Sequence, residues 1–222
     1  MEFLKIAGIQ TSLEWENHEA NRQNFEGRIL AADSEIDILV LPEMFTTGFS
    51  MKPERLAEDM QGETIHWMKK LADKTNTVLA GSAIIQDSGR FFNRMLWVEP
   101  CGHIEWYDKR HLFTLAGEDD EYTAGGEPKI VDYKGWRINL NICYDLRFPV
   151  WSRNANEYDV VIYVANWPST RIVAWSTLLR ARAIENQCYV VGVNRIGLDA
   201  NAKNYSGQST IIDMEGNYLS EA

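Results

Sequence analysis

The stretch INLNICYDLRFP at residues 138–149 constrains this chain more than any other. Ile138, Leu140 and Ile142 alternate with Asn139 and Asn141, the period of a strand, and that strand runs directly into Cys143. Residues 144–153 carry a helical pattern, so the cysteine is expected on a strand-to-helix turn. A side chain on such a turn is presented outward, and the N–H groups that open the next helix face developing negative charge. Cys143 is therefore a candidate nucleophile.

The remaining pattern alternates strands and helices. Strands are expected over residues 3–11, 36–41, 77–86, 91–99, 104–107, 130–133, 136–142, 160–165, 189–194, 207–213 and 218–219, and helices over 17–32, 62–74 and 172–186. Asn17 is expected to cap the first helix, with Phe25, Ile29 and Ala32 on one face. Ile172, Trp175, Leu179 and Ala183 of the third read as core. Asp87-Ser88-Gly89, Lys134-Gly135 and Glu215-Gly216-Asn217 mark hairpins. The fold class is α/β. Strand periodicity alone does not separate an open doubly wound sheet from two stacked sheets.

Composition narrows the function classes. A chain of 222 residues that is 45% hydrophobic can bury one sizeable core. Its net charge of -10, without a basic stripe, speaks against nucleic acid as the main partner. No run of about 18 apolar residues and no signal-peptide layout is present, so no membrane partner and a cytoplasmic location are expected. Cys101, Cys143 and Cys188 are an odd number, widely spaced and without a CxxC pair, which suggests neither a disulfide framework nor a zinc site. Cys101 falls in a turn and Cys188 reads as packing. No metal or organic cofactor is expected.

Two further stretches bear on Cys143. Pro42-Glu43-Met44-Phe45 closes a strand apolar enough to be buried on both faces, and ligands of α/β sheets bind beyond such strand ends. A carboxylate among Met44, Phe45 and Phe49 suits general-base work, which makes Glu43 the candidate base. YDKRHLF at residues 107–113 supplies Lys109, whose ammonium beside a thiolate would lower the thiol pKa or hold an oxyanion. Glu118 stands in a polar loop, LAGEDDEYTAGG at residues 115–126, able to cover a pocket entrance. By composition alone it belongs to a solvated acidic run.

Taken together, LPEMFTTGF, YDKRHLF and NICYDLRFPVWSRN resemble the nitrilase superfamily of carbon-nitrogen hydrolases, with ANWP at residues 165–168 and ARAIENQ at 181–187 as further matches. The wording is closest to the bacterial omega-amidases, which include 2-oxoglutaramate amidases. The resemblance implies a four-layer α-β-β-α sandwich, paired as a homodimer through the helical layer. It implies Glu43, Lys109 and Cys143 as catalytic residues and Glu118 as a second active-site glutamate that supports Lys109. The backbone N–H of Tyr144 would share the oxyanion with Lys109. It also implies one domain over residues 1–222, without the strand and tail with which members usually continue.

A small amide substrate that also carries a carboxylate needs a cation near Cys143. Arg147 is nearest in sequence, with Arg171 and Arg195 as alternatives, and Phe45, Tyr144 and Trp167 would form an apolar wall. Nitrilase or N-carbamoyl amino acid amidohydrolase chemistry stays open. So does a non-catalytic interaction module that keeps the fold.

Overall fold

The two faces of one short strand explain how the layers arise. In the computed structural model of the chain, which describes residues 3–155 and 157–222, β1 (Ile6–Gly8) precedes β2 (Ile38–Val40), and β2 is buried throughout. Ile38 and Val40 belong to an apolar cluster between two sheets; Leu39 and the following Leu41 belong to a second cluster beneath helices. Successive side chains of a strand face opposite sides, so one strand seals two cores.

The first sheet is completed by β3 (Val78–Asp87), β4 (Arg90–Val98) and β5 (Ile104–Asp108), in the order β1-β2-β3-β4-β5. Its first three strands are parallel and its last three form an antiparallel meander. The chain continues through β6 (Lys129–Tyr133), β7 (Trp136–Ile142), β8 (Val160–Ala165) and β9 (Tyr189–Asn194). A separate hairpin, β10 (Ile196–Leu198) with β11 (Asn204–Ser206), comes before β12 (Thr210–Ile212) and β13 (Tyr218–Glu221). The second sheet has the order β13-β12-β9-β8-β7-β6, with β7, β8 and β9 parallel.

Helices close the outer faces. Among the helices α1 (His18–Leu30), α2 (Pro53–Leu56), α3 (Glu63–Thr75), α4 (Glu118–Glu121) and α5 (Ile172–Asn186), α1 and α3 cover the first sheet through Phe25, Ile29, Ile65, Met68 and Leu71. Trp175, Leu179 and Ala183 of α5 cover the second. The four-layer α-β-β-α sandwich is therefore the fold found. Both sheets end their parallel strands toward one edge, and β2, β5, β7 and β8 each release a loop there.

Several boundaries differ from expectation. The first strand pairs only over Ile6–Gly8, because the chain then turns toward the β10–β11 hairpin, where the Thr11 carbonyl accepts from Ile196 N at 3.1 Å. Asn17 caps α1 by accepting from Ala20 N, but the helix ends at Leu30 and leaves Ala32 beyond it. Residues 144–153 do not form a helix. A single 3-10 turn, Cys143–Arg147, is all that follows the nucleophile strand. Pro149 disfavours a helical Phe148, and the Asp145 carboxylate turns back to Ile142 N at 3.0 Å. The Ser88-Gly89 and Lys134-Gly135 hairpins are found as expected, all four residues having positive φ. The β10–β11 hairpin, which lacks apolar alternation, was not anticipated.

Among the described residues, no helix is long and apolar enough to cross a membrane. Leu179 is wholly buried between α5 and the second sheet. Leu179→Ala is expected to cost about 2–5 kcal/mol, read as a lower denaturant midpoint at unchanged slope.

Candidate active site

Lys109 leaves the end of β5 with its side chain out of water, and so do Glu43 beyond β2 and Glu118 in α4; all three are 0% exposed. A buried ammonium persists only when opposite charge accompanies it. Lys109 Nζ lies 2.9 Å from Glu43 Oε1 and 3.0 and 2.8 Å from the two Glu118 oxygens. Burial pulls the Lys109 pKa down, but Glu118 and Glu43 outweigh it and hold the group above its ordinary range. Burial pushes the Glu118 carboxyl up against the opposing pull of Lys109, and the Glu43 charge adds to the rise.

The two carboxylates are spaced by uncharged donors. Asn93 Nδ2 donates to Glu43 Oε1 at 2.8 Å and to Glu118 Oε1 at 3.1 Å, while Ser82 Oγ donates to Asn93 Oδ1 at 2.8 Å. Ser82 Oγ in turn accepts from Met44 N at 2.8 Å. Asn166, just past β8, donates its backbone N–H to Glu43 Oε2 at 2.8 Å and its side-chain amide to the Glu43 carbonyl at 2.6 Å. Phe113 N donates to Glu118 Oε2 at 2.6 Å. The Asn93 amide, the Asn166 N–H and the Phe113 N–H thus hold the two carboxylates in fixed positions.

Cys143 completes the group from β7. Its φ of +44° lies in the left-handed region, which non-glycine residues seldom occupy and which recurs at functional turns. The half-buried thiol faces the cleft, close enough to Glu43 and Lys109 to feel the charge of both. Burial and the Glu43 charge push the thiol pKa well up, and Lys109 acts in the opposite direction. Burial therefore favours the neutral thiol at rest, with the Glu43 charge acting in the same direction.

A third buried carboxylate fixes the nucleophile turn against the lysine segment. Asp145 receives Ile142 N at 3.0 Å, Tyr107 OH at 2.8 Å, and His111 N and Nδ1 at 2.9 and 2.8 Å. Tyr107 and His111 stand two residues before and two after Lys109. Trp151 Nε1 donates to Tyr107 OH at 2.9 Å, and the His111 ring stacks on Phe148 at 3.7 Å. On the far side of Lys109, Gly125 N donates to the Lys109 carbonyl at 2.9 Å; a Cβ at Gly125 would lie 2.1 Å from the Asp108 oxygen.

The structure thus brings together Glu43, Lys109, Glu118 and Cys143. Tyr144, Arg147 and Trp167 line the same cleft, as do Arg171 and Phe113. Phe45 does not. It packs edge-on to Phe25 at 5.5 Å in the core under α1 and α3, because the positive φ of Met44 sends Glu43 and Phe45 to different sides. Phe49 lines the cleft instead. Arg195 is buried away from it, donating to the carbonyls of Leu13, Ile196 and Leu198. Glu118 overturns the solvated-run reading, since only Asp119, Asp120 and Glu121 of that run are exposed.

Sequence reasoning missed Asn93, Asn166, Lys203 and Tyr205. A lone amide within the apolar strand β4 was a usable signal for Asn93, and the position just after β8 was one for Asn166. Nothing local marked Lys203 or Tyr205, which come from the unanticipated hairpin. Among the described residues, no group of three or more His, Cys, Asp or Glu is placed to hold a metal ion.

A cysteine at a strained strand end, facing a carboxylate and a buried ammonium between two stacked sheets, defines a class of amide- and nitrile-cleaving enzymes. The carbon-nitrogen hydrolase family model matches residues 5–222, and the chain belongs to that family. The omega-amidase YafV of Yersinia enterocolitica is 46% identical over 222 residues, 100% of this chain and 86% of that protein. The 2-oxoglutaramate amidase of Bacillus subtilis is 34% identical over 221 residues, 97% of this chain and 85% of that protein. XC1258 from Xanthomonas campestris, a CN-hydrolase superfamily protein whose crystal structure has an arsenic adduct in the active site, superposes with a TM-score of 0.97 at 42% identity. That superposition covers 100% of this chain and 87% of the other.

Two outcomes follow from this geometry. Lys109→Met leaves two buried carboxylates without a counter-charge and is expected to cost about 3–5 kcal/mol, measured by urea unfolding at neutral pH. Because the thiolate is the reacting form, iodoacetamide alkylation of Cys143 in a Cys101→Ser background should climb only at pH above the free-cysteine range of about 8.5. Removing the Glu43 charge removes one cause of the raised pKa, so Glu43→Gln should move that climb to lower pH.

Proposed function

We propose that this chain is a cysteine amidase that hydrolyses the terminal amide of a small ω-amido carboxylic acid, of the 2-oxoglutaramate or succinamate type, to the diacid and ammonia. The observation that carries this reading is Cys143 and Lys109 lining one cleft, with the Lys109 ammonium 2.9 Å from Glu43 Oε1. The names of the YafV and Bacillus relatives support the substrate class.

The steps follow from the charges. Glu43 takes the thiol proton as sulfur attacks the amide carbon. The oxyanion that forms is held by Lys109 and the Tyr144 N–H, fixed donors in a water-poor site. Lys109 has three N–H bonds, two of which suffice for Glu43 and Glu118, so one remains for the oxyanion. Glu43 passes its proton to the nitrogen, the C–N bond breaks and ammonia leaves a thioester. Water then gives a proton to Glu43 and attacks the thioester; the C–S bond breaks and Cys143 regains its proton. Glu118 keeps Lys109 charged and in place throughout.

Arg147 is the partner assigned to the substrate carboxylate. Its guanidinium lies over the Trp167 ring at 5.1 Å, which holds the planar fork toward the cleft. Tyr144 and Trp167 supply the apolar wall for the methylene chain. The enzyme works as a single domain in the cytoplasm, without a metal or organic cofactor. It pairs as a homodimer through the α5 layer, where Val173 is 77% exposed.

The test is ammonia release from 2-oxoglutaramate and succinamate by the chain and by Cys143→Ala, beside matched nitrile and N-carbamoyl substrates. The amides should be preferred, and Cys143→Ala should lose roughly 10⁴-fold or more of the rate. Preference for the nitrile or carbamoyl compound would move the reading to those chemistries. Activity that survives in the variant would overturn it.

A further inference from the structure

We infer that Arg171 and Lys203 form a second anion subsite at the mouth of the cleft, outside the one assigned to Arg147, so that the cleft takes ω-amides bearing two carboxylates. The substrate statement rests on the amidase reading; the subsite stands on the charges alone.

Four charged residues line the cleft, Lys109, Arg147, Arg171 and Lys203, and all are cations. This occurs in a chain with 32 acidic and 22 basic residues, where random placement would set carboxylates among them. Lys109 is neutralised by Glu43 and Glu118. Arg147, Arg171 and Lys203 form no ion pair among the described residues and are exposed at the lip. Like charges around one concave opening repel and focus a positive field outward, an arrangement that gains stability when an anion arrives. One substrate carboxylate needs one guanidinium fork. Two cations are then left over.

Those two belong to one wall. Ser169 Oγ, two residues before Arg171, donates to the Asn204 carbonyl, next to Lys203, at 2.8 Å. Trp167 Nε1 donates to the Arg171 carbonyl at 2.8 Å. The Arg171 guanidinium rests over Phe113 at 4.9 Å, whereas Arg147 rests over Trp167, so the two forks have separate aromatic shelves. The nearest acid in sequence to Lys203 is Asp199, and its carboxylate is occupied by Asn201 N, Lys203 N and Tyr205 OH at 2.8, 2.9 and 3.0 Å. These bonds fix the Lys203 backbone and leave its ammonium for a ligand.

The test uses Cys143→Ala protein at fixed low ionic strength, titrated calorimetrically with glutarate and with propane-1,2,3-tricarboxylate. The two share a five-carbon chain and differ by one carboxylate. The tricarboxylate should bind about tenfold more tightly, the size expected for two screened charge contacts, and the preference should fade as salt rises. Lys203→Ala and Arg171→Gln, placed singly in the same background, should each cut the preference, and Lys203→Glu should abolish it. Equal binding of the two acids, or a preference that survives all three substitutions, overturns the subsite. Glutaramate hydrolysis by the unmodified chain tests the amidase reading separately. Its absence beside a retained preference would overturn that reading and leave the subsite in place.

Discussion

The Lys109 ammonium, removed from water and held between Glu43 and Glu118, is the interaction on which the site depends. Taking three charges into an apolar interior carries a desolvation cost of several kcal/mol per ion, offset only where the geometry is tight and every remaining donor is met. Here the remaining bonds come from Asn93, Asn166 and the Phe113 N–H. Each lies on a different segment, so the first sheet, the second sheet and the loop carrying α4 must all dock before the charges are satisfied. In the proposed mechanism the same arrangement supplies the chemistry: a fixed cation for an oxyanion, and a fixed base for a thiol whose own burial keeps it protonated at rest.

Holding a cysteine at positive φ opposite such a group needs its own brace. Asp145 provides it by gathering hydrogens from Ile142, Tyr107 and His111, which span both sheets and bracket Lys109. A shift of the nucleophile turn against β5 would strand a buried carboxylate, and the cost of that resists small displacements. The apolar layers beneath explain why the brace holds. β2, β7 and β8 are buried on both faces, and close-packed interiors of this kind do not slide gradually.

The mouth of the cleft is organised on the opposite principle. Charges at the centre are paired internally; those at the lip are left unpaired, and Arg147 and Arg171 lean on aromatic rings. Internal pairing keeps the buried charges from standing alone when the site is empty. External imbalance favours anionic ligands and, in an acidic protein, directs them to one opening.

What the sequence determined by itself was local. The alternation around Ile138–Ile142 located the nucleophile strand, and the glycine-bearing turns located the hairpins, because period and turn chemistry are written within a few residues. The short motifs around Glu43, Lys109 and Cys143 carried the rest through their resemblance to a family. Tertiary structure decided what depends on segments far apart in the chain. It buried Glu118 beneath an acidic run that composition assigns to solvent, and turned Phe45 into a core while Phe49 faced the cleft. It brought Asn93 between two carboxylates, and set Lys203 beside Arg171 through a hairpin with no apolar signature. Burial and charge pairing are properties of the packed whole, so a residue's neighbours in sequence do not fix them.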